Sequence, residues 1–169
     1  MLDTFSDEPI CRTNTIVNSK LFNLTSGVMQ NLLFVLYFSV ATREFSSEEI
    51  LSLLRTARLH NLANDVSGVL YYRDGYFIQA LEGPKNEVIR TYARILDDPR
   101  HKDCTLISIN TTPQWSFEGC PMGWVNLDDS PVELIGAIRY SLSNNRGGVA
   151  SVVMDWLKIH IQDRPNTMY

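Results

Sequence analysis

The apolar positions in this chain follow two periods, and the points where one gives way to the other mark the elements. Leu32 to Phe38 is an unbroken apolar run. Read with period two, Leu33, Val35 and Tyr37 share one face and Leu32, Phe34, Leu36 and Phe38 the other, the pattern of a strand covered on both sides. A helix pattern follows. Ser46 with Glu49 makes a capping box, Ile50, Leu51, Leu54 and Ala57 form an apolar stripe, and His60-Asn61-Leu62-Ala63-Asn64-Asp65 ends it with turn chemistry. Val66 to Tyr72 is a second strand, and Arg73-Asp74-Gly75 is a hairpin turn into a third. On that third strand Phe77, Gln79 and Leu81 face one way and Tyr76, Ile78 and Ala80 the other. Gly83-Pro84 stops it, and Pro84 suits the first turn of a helix that runs to about Asp97 with Val88, Ile89, Tyr92 and Ile95 inward. Thr105 to Thr111 reads as a strand, Gln114 to Cys120 as a loop or short helix, and Met122 to Leu127 as a last strand.

The order is therefore β-α-β-β-α-β-β, an α+β fold whose first six elements are the ferredoxin-like arrangement. Two helices pack on one face of the sheet. The first and third strands are central neighbours, so Tyr37 and Gln79 lie side by side under the helices. The other face is also apolar and needs cover. Ser130-Pro131-Val132-Glu133 is a second capping box. Leu134, Ile135, Ile138 and Leu142 give one stripe, Asn144 to Gly148 a turn, and Val149, Val152, Val153, Trp156 and His160 a second stripe. These predict a C-terminal helical hairpin across the outer face, or shared with a second subunit. Three regions result: an arm at 1–30, a body at 31–128 and a helical extension at 129–169. The arm shows no clear period. It reads either as an unstructured tail or as a short amphipathic turn through Leu21, Leu24 and Val28 that docks on the body or on a neighbouring subunit.

Composition adds little to this picture. The chain has 169 residues, 44% hydrophobic and 20% charged, with a net charge of −4. That charge gives no reason to expect nucleic acid or an anionic membrane. The longest apolar run, Leu32 to Ala41, is too short to span a bilayer. It is preceded by Asp3, Asp7 and Glu8, where an export signal would be basic. Cys11, Cys104 and Cys120 are not in metal spacing and read as free thiols in a reducing cytoplasm.

No nucleotide loop, nucleophile elbow or zinc-protease motif is present. His60, His101 and His160 lie far apart, so no metal is expected. Gln79 is the odd residue. A buried primary amide needs partners for two donors and a carbonyl. It is either satisfied by neighbouring backbone or faces a polar ligand held against the sheet. Tyr37 and Gln79 would floor a cleft between the helices, with His60 and Asn61 at one helix end and Arg94 and Asp98 at the other. A planar heteroaromatic with amide-like edges suits the amides, and a polar or phosphorylated tail suits the mouth.

Residues 32 to about 127 resemble the BLUF family, the blue-light sensors using FAD. The resemblance rests on Leu36-Tyr37-Phe38-Ser39, on the run from His60 to Gly68, on Phe77-Ile78-Gln79-Ala80-Leu81-Glu82-Gly83, on Asp98-Pro99-Arg100-His101, and on Met122 in the last strand. It implies a non-covalent flavin between the helices, FAD with FMN as the alternative. It implies that Tyr37 is the photochemical tyrosine, Gln79 the switching glutamine, Asn61 the residue bonding the ring edge and His60 a polar neighbour. Arg94 and Asp98 match positions near the ribityl and phosphate end, and Met122 the methionine close to the glutamine. Many members carry a tryptophan two residues before that methionine. Here Cys120 holds that place and Trp124 lies two residues after Met122, so an account of signalling by a swinging tryptophan does not carry over.

The resulting expectation is a blue-light photoreceptor that is not an enzyme. It would signal through the last strand and C-terminal helices to an effector protein, and the few residues after Leu127 leave no room for a catalytic output domain. A homo-oligomer is expected from the apolar outer face, and no nucleic acid or membrane partner. Two other readings stand beside it: a light-insensitive ferredoxin-like binding module, and a small acylphosphatase-like enzyme using Arg94 and Asn61.

Overall fold

In the computed structural model, residues 31–125 and 149–160 are described. The elements are β1 (Leu32–Ala41), α1 (Ser47–Ala63), β2 (Ser67–Arg73), β3 (Tyr76–Pro84), α2 (Lys85–Leu96), β4 (His101–Thr112), β5 (Gly123–Val125) and α3 (Val149–His160). The strands form one sheet in the order β4-β1-β3-β2-β5. Every neighbouring pair is antiparallel except β2 with β5. This is the expected ferredoxin-like sheet with a fifth strand added beside β2.

Local chemistry explains the boundaries. Ser46 Oγ accepts from the Glu49 amide at 3.3 Å, and the Glu49 carboxylate accepts from the Ser46 amide at 2.9 Å, which starts α1. At its end the Asn61 carbonyl takes the amides of Asn64 and Val66, and Asp65 turns the chain at φ 52°. Asp74 and Gly75 both have positive φ, 50° and 76°, and join β2 to β3 as a two-residue hairpin loop. Gly68 is required by close approach. A Cβ there would stand 2.3 Å from the Ala80 carbonyl oxygen of β3.

The register places Tyr37 opposite Gln79 and Leu70 on the other side of Gln79. Two cores follow from the alternation. Under the helices lie Val35, Tyr37, Phe77, Leu81 and Met122 with Ile50, Leu54 and Val88. On the outer face lie Phe34, Leu36, Phe38, Ile78 and Ala80, covered by Val153 and Leu157 of α3. That cover comes from the chain itself, so the outer face no longer motivates a second subunit.

Several boundaries differ from expectation. β4 begins at His101 rather than Thr105. Its polar first residues pair with β1 through the backbone, and its register shifts between Leu36 and Tyr37 and again between Phe38 and Val40. Such bulges on an edge strand leave no clean alternation to read. Met122 precedes β5 instead of belonging to it. On α2 the inward residues are Val88 and Thr91, with Tyr92 and Ile95 packed beside them, while Ile89 is exposed. On α3 the packed side is Ala150, Val153, Met154 and Leu157. Val153 of the expected stripe is on that side; the side chains of Val149, Val152, Trp156 and His160 lie outside those described. The first helix of the expected hairpin and the arm at 1–30 lie outside the described residues. Cys104 is a free thiol as expected, whereas Cys120 is disulfide-bonded.

One buried acidic side chain has no counterpart in the sequence reading. Glu82 points to the outer face and is fully buried. Its carboxylate accepts the amide of Ser116 at 2.8 Å and that of Phe117, tying the loop between β4 and β5 to the end of β3. Glu82→Leu leaves the buried Phe117 amide without its acceptor, at about 1–3 kcal/mol, while the amide of exposed Ser116 can turn to water. Glu82→Gln keeps one acceptor oxygen and should lose about half as much. Urea midpoints measure both, and an unchanged midpoint in the leucine variant would refute the tie.

Candidate functional site

The site stands on the two central strands. Tyr37 is fully buried on β1, and its hydroxyl donates to Gln79 Oε1 across the β1–β3 pair. Gln79 Nε2 donates in turn to Met122 Sδ at 3.5 Å. A thioether is a weak acceptor, so this second bond is the softer of the two. Burial raises the Tyr37 pKa well above its usual value of 10.0, with Cys104, Tyr92 and Asp98 adding to the effect. The group is therefore a neutral phenol, able to donate. Its ring lies 5.3 Å from that of Tyr92 on α2.

Above Gln79 a cleft opens between α1 and α2, lined by His60, Asn61, Thr91, Arg94, Asp98 and Met122 among others. Leu53, Ala57, Phe77 and Ile95 give it apolar walls. Asn61 is buried, donates one N–H to the Pro121 carbonyl at 2.6 Å, and has no partner for its side-chain oxygen among the described residues. Arg94 lies on His60, with Nη1 2.9 Å from Nδ1 and Nη2 against Nε2, while Nη2 also donates to the Thr91 hydroxyl at 3.2 Å. Burial and the Arg94 charge lower the His60 pKa, so the ring is a neutral acceptor. The free space in the cleft is about 160 Å³, below the roughly 300 Å³ at the small end of ligand pockets. Arg94 is the side chain whose rotation off His60 would enlarge it.

The expected site residues come together with two qualifications. Tyr37 lies beneath Gln79 and does not line the cleft. Asp98 lines it, but its carboxylate is held by Arg100, Nε at 2.9 Å and Nη2 at 2.5 Å, which lowers its pKa. Sequence reasoning gave no role to Arg58, Thr91, Arg100 or His101. Arg58 Nε donates to the Met122 carbonyl at 2.9 Å, and Ser39 Oγ is 2.8 Å from His101 Nδ1 beside Tyr37. Arg58 stands one helical turn before Asn61, which is the signal that would have found it. His101 sat in a quoted motif without an assigned partner.

The donor set fits a planar ligand with an imide-like edge. A buried amide keeps an unused oxygen, a second amide joins Tyr37 to Met122 at the floor, and a cation stands at the mouth. The model of the BLUF family, described as sensors of blue-light using FAD, matches residues 32–123. The chain belongs to the BLUF family. The matched region is a blue-light sensor that uses a flavin, not an enzyme, and the two other readings of the cleft give way. The beta subunit of photoactivated adenylate cyclase from Euglena gracilis is 42% identical over 71 residues, which are 42% of this chain and 8% of that protein. This BLUF chain thus spans a small fraction of that relative's length. BlrB, a BLUF protein in its dark state, shares the fold with a TM-score of 0.64 at 21% identity, covering 78% of this chain and 98% of that one. Klebsiella pneumoniae BlrP1, solved with FMN and cyclic diGMP, gives 0.54 at 23%, covering 64% and 30%.

Burial also lowers the His101 pKa, with Asp98 opposing. A histidine kept neutral in the fold contributes stability that is full above its unfolded value of about 6.5 and is lost as pH falls toward its folded value. Imidazole shifts followed by NMR should therefore show His60 and His101 titrating below pH ~6.5. Stability by denaturant should fall with pH in that window, and less so in His101→Gln. Normal histidine titration would refute the buried, neutral assignment.

Proposed function

We propose that residues 31–128 form a flavin-binding photosensor in which Tyr37 and Gln79 are the photoactive pair, with 1–30 as an arm and 129–169 as the output extension. The observation that carries this reading is the line of bonds from Tyr37 through Gln79 to Met122. A bound flavin supplies the absorption of blue light and an acceptor for one electron. Tyr37 supplies the electron and, through its bond to Gln79, a proton that can leave and return. Gln79 supplies an amide whose two ends are nearly equal in size, so it can turn over without changing the packing. Turned over, it presents N–H groups where Tyr37 now finds an acceptor and an oxygen where Met122 offers no donor. The contact to Met122 is then lost, and each exchanged hydrogen bond is worth about 1 kcal/mol. The segment at Met122 carries that change toward β5 and the C-terminal extension.

Asn61 offers its unused oxygen and N–H to the ring edge. Arg94 and His60 stand where a ribityl chain and phosphate would leave the cleft, and Asp98 acts there through Arg100. FAD is the flavin proposed, supported by the family's own description. Output passes to a separate effector. Self-association has apolar support in Leu106 and Ile109, exposed on the edge strand β4.

Purified chain, dark and then under blue light, should show a flavin band that moves to the red and recovers in the dark. Tyr37→Phe and Gln79→Leu should keep the flavin and lose the shift. Chromatography of the released flavin should give FAD. A shift that survives both substitutions would overturn the assignment of the pair, and FMN alone would overturn the cofactor. Light scattering in both states tests self-association.

A further inference from the structure

The outward side of α1 has no use in the site. Between Glu49 and Asp65 the chain holds no acidic residue, although its net charge is −4. Arg55, Leu59 and Leu62 follow at i, i+4 and i+7, so they share one side of the helix. Leu59 is 74% and Leu62 69% exposed, the highest values among the exposed large apolar side chains described. Arg58 borders the same stripe and is half-buried. Arg43, Arg73, Arg90 and Arg100 each pair with a carboxylate. Among the described residues Arg55 and Arg58 have none. Burial, with Arg55 adding to it, pulls the Arg58 pKa below its usual value. Its Nε holds the Met122 carbonyl at 2.9 Å, and its other N–H groups have no acceptor among the described residues.

Single exposed leucines are ordinary. Here two of them stand with two guanidinium groups that have no carboxylate partner among the described residues, and one of those groups bonds the residue that Gln79 bonds. We propose that the Arg55–Arg58–Leu59–Leu62 side of α1 is a docking surface for an acidic amphipathic helix of a partner protein, with an affinity set by the state of Gln79 through Met122 and Arg58. The light response of this surface rests on the reading of Gln79 as the switch, while its existence does not. Leucines at helical spacing are the anchors that helix-on-helix recognition uses, and each guanidinium can take a carboxylate in two bonds. A second copy of the chain fits poorly. A two-fold contact through α1 would set these arginines against one another, with no acid of α1 between Glu49 and Asp65 to separate them. When Gln79 releases Met122, the Met122 carbonyl moves with its segment, and the guanidinium that holds it is one of the two that face the partner.

The test uses the full flavin-loaded chain and a synthetic peptide of about five helical turns. The peptide carries leucine on one side and glutamate on its flanks, with a red-absorbing dye so that the reading light drives no photochemistry. A twin peptide has lysine for glutamate. Anisotropy should show saturable binding of the glutamate peptide and binding at least about tenfold weaker for the lysine twin. Arg55→Glu and Leu59→Glu should weaken it as much while leaving the flavin spectrum and its light-induced shift unchanged, which shows that the fold is intact. Affinity should differ between dark and light, and Arg58→Met should abolish the difference. No saturable binding, equal binding of the twins, or surface variants that bind like the parent would overturn the surface. Binding that ignores light in a chain whose flavin band shifts normally would overturn the coupling alone. Lack of the shift itself would fault the switch and leave the dark binding to decide the surface.

Discussion

Tyr37 and Gln79 face each other across the two central strands, and that register is the constraint on which the molecule turns. Side chains alternate along a strand, so a slip of one residue would move the phenol and the amide to opposite faces and empty the helix-side core of Val35 and Leu81 at the same time. Hydrophobic burial therefore enforces the geometry that the chemistry needs. Gln79 also has β2 on its other side. Its backbone is fixed twice over, and the freedom left to it is the torsion of the amide. A rigid platform with one movable polar group is a sound base for a switch.

The stretch from Ser116 to Met122 shows how such a movement could leave the site. It has no regular secondary structure of its own, yet nearly every step is held from elsewhere. Glu82 takes the first two amides, Gly68 bonds the Cys120 carbonyl, Asn61 the Pro121 carbonyl, and Arg58 and Gln79 the two ends of Met122. Five of these six bonds are made by residues other than Gln79, and its contact to the Met122 sulfur is the weakest of the six. Coupling requires an element with two arrangements, and the amide of Gln79, whose two ends are alike in size, is the group proposed to have them.

The central part of this architecture was legible because burial leaves a period. β1 and β3 read as two-faced strands, Ser46 and Glu49 as a cap, Asp74-Gly75 as a tight turn, and the seven expected site residues gather around one cleft and its floor. The remainder failed where no period exists. His101 to Cys104 are polar and bulged, and they pair with β1 through backbone groups that a side-chain pattern does not report. Thr91, not Ile89, points inward on α2, since the cleft there admits a hydroxyl that Arg94 uses. Glu82 and Arg58 are charged residues buried or half-buried by contacts with a distant loop. Composition assigns such residues to the surface, and only the three-dimensional path of the loop brings the loop amides and the Met122 carbonyl to them.

Arg94 lying across the cleft on His60 bears on time as much as on shape. Arg94 is an exposed side chain, and exposed rotamers turn over within nanoseconds. A molecule arriving at the cleft meets it open on many of its collisions, so Arg94 screens the entrance without locking it.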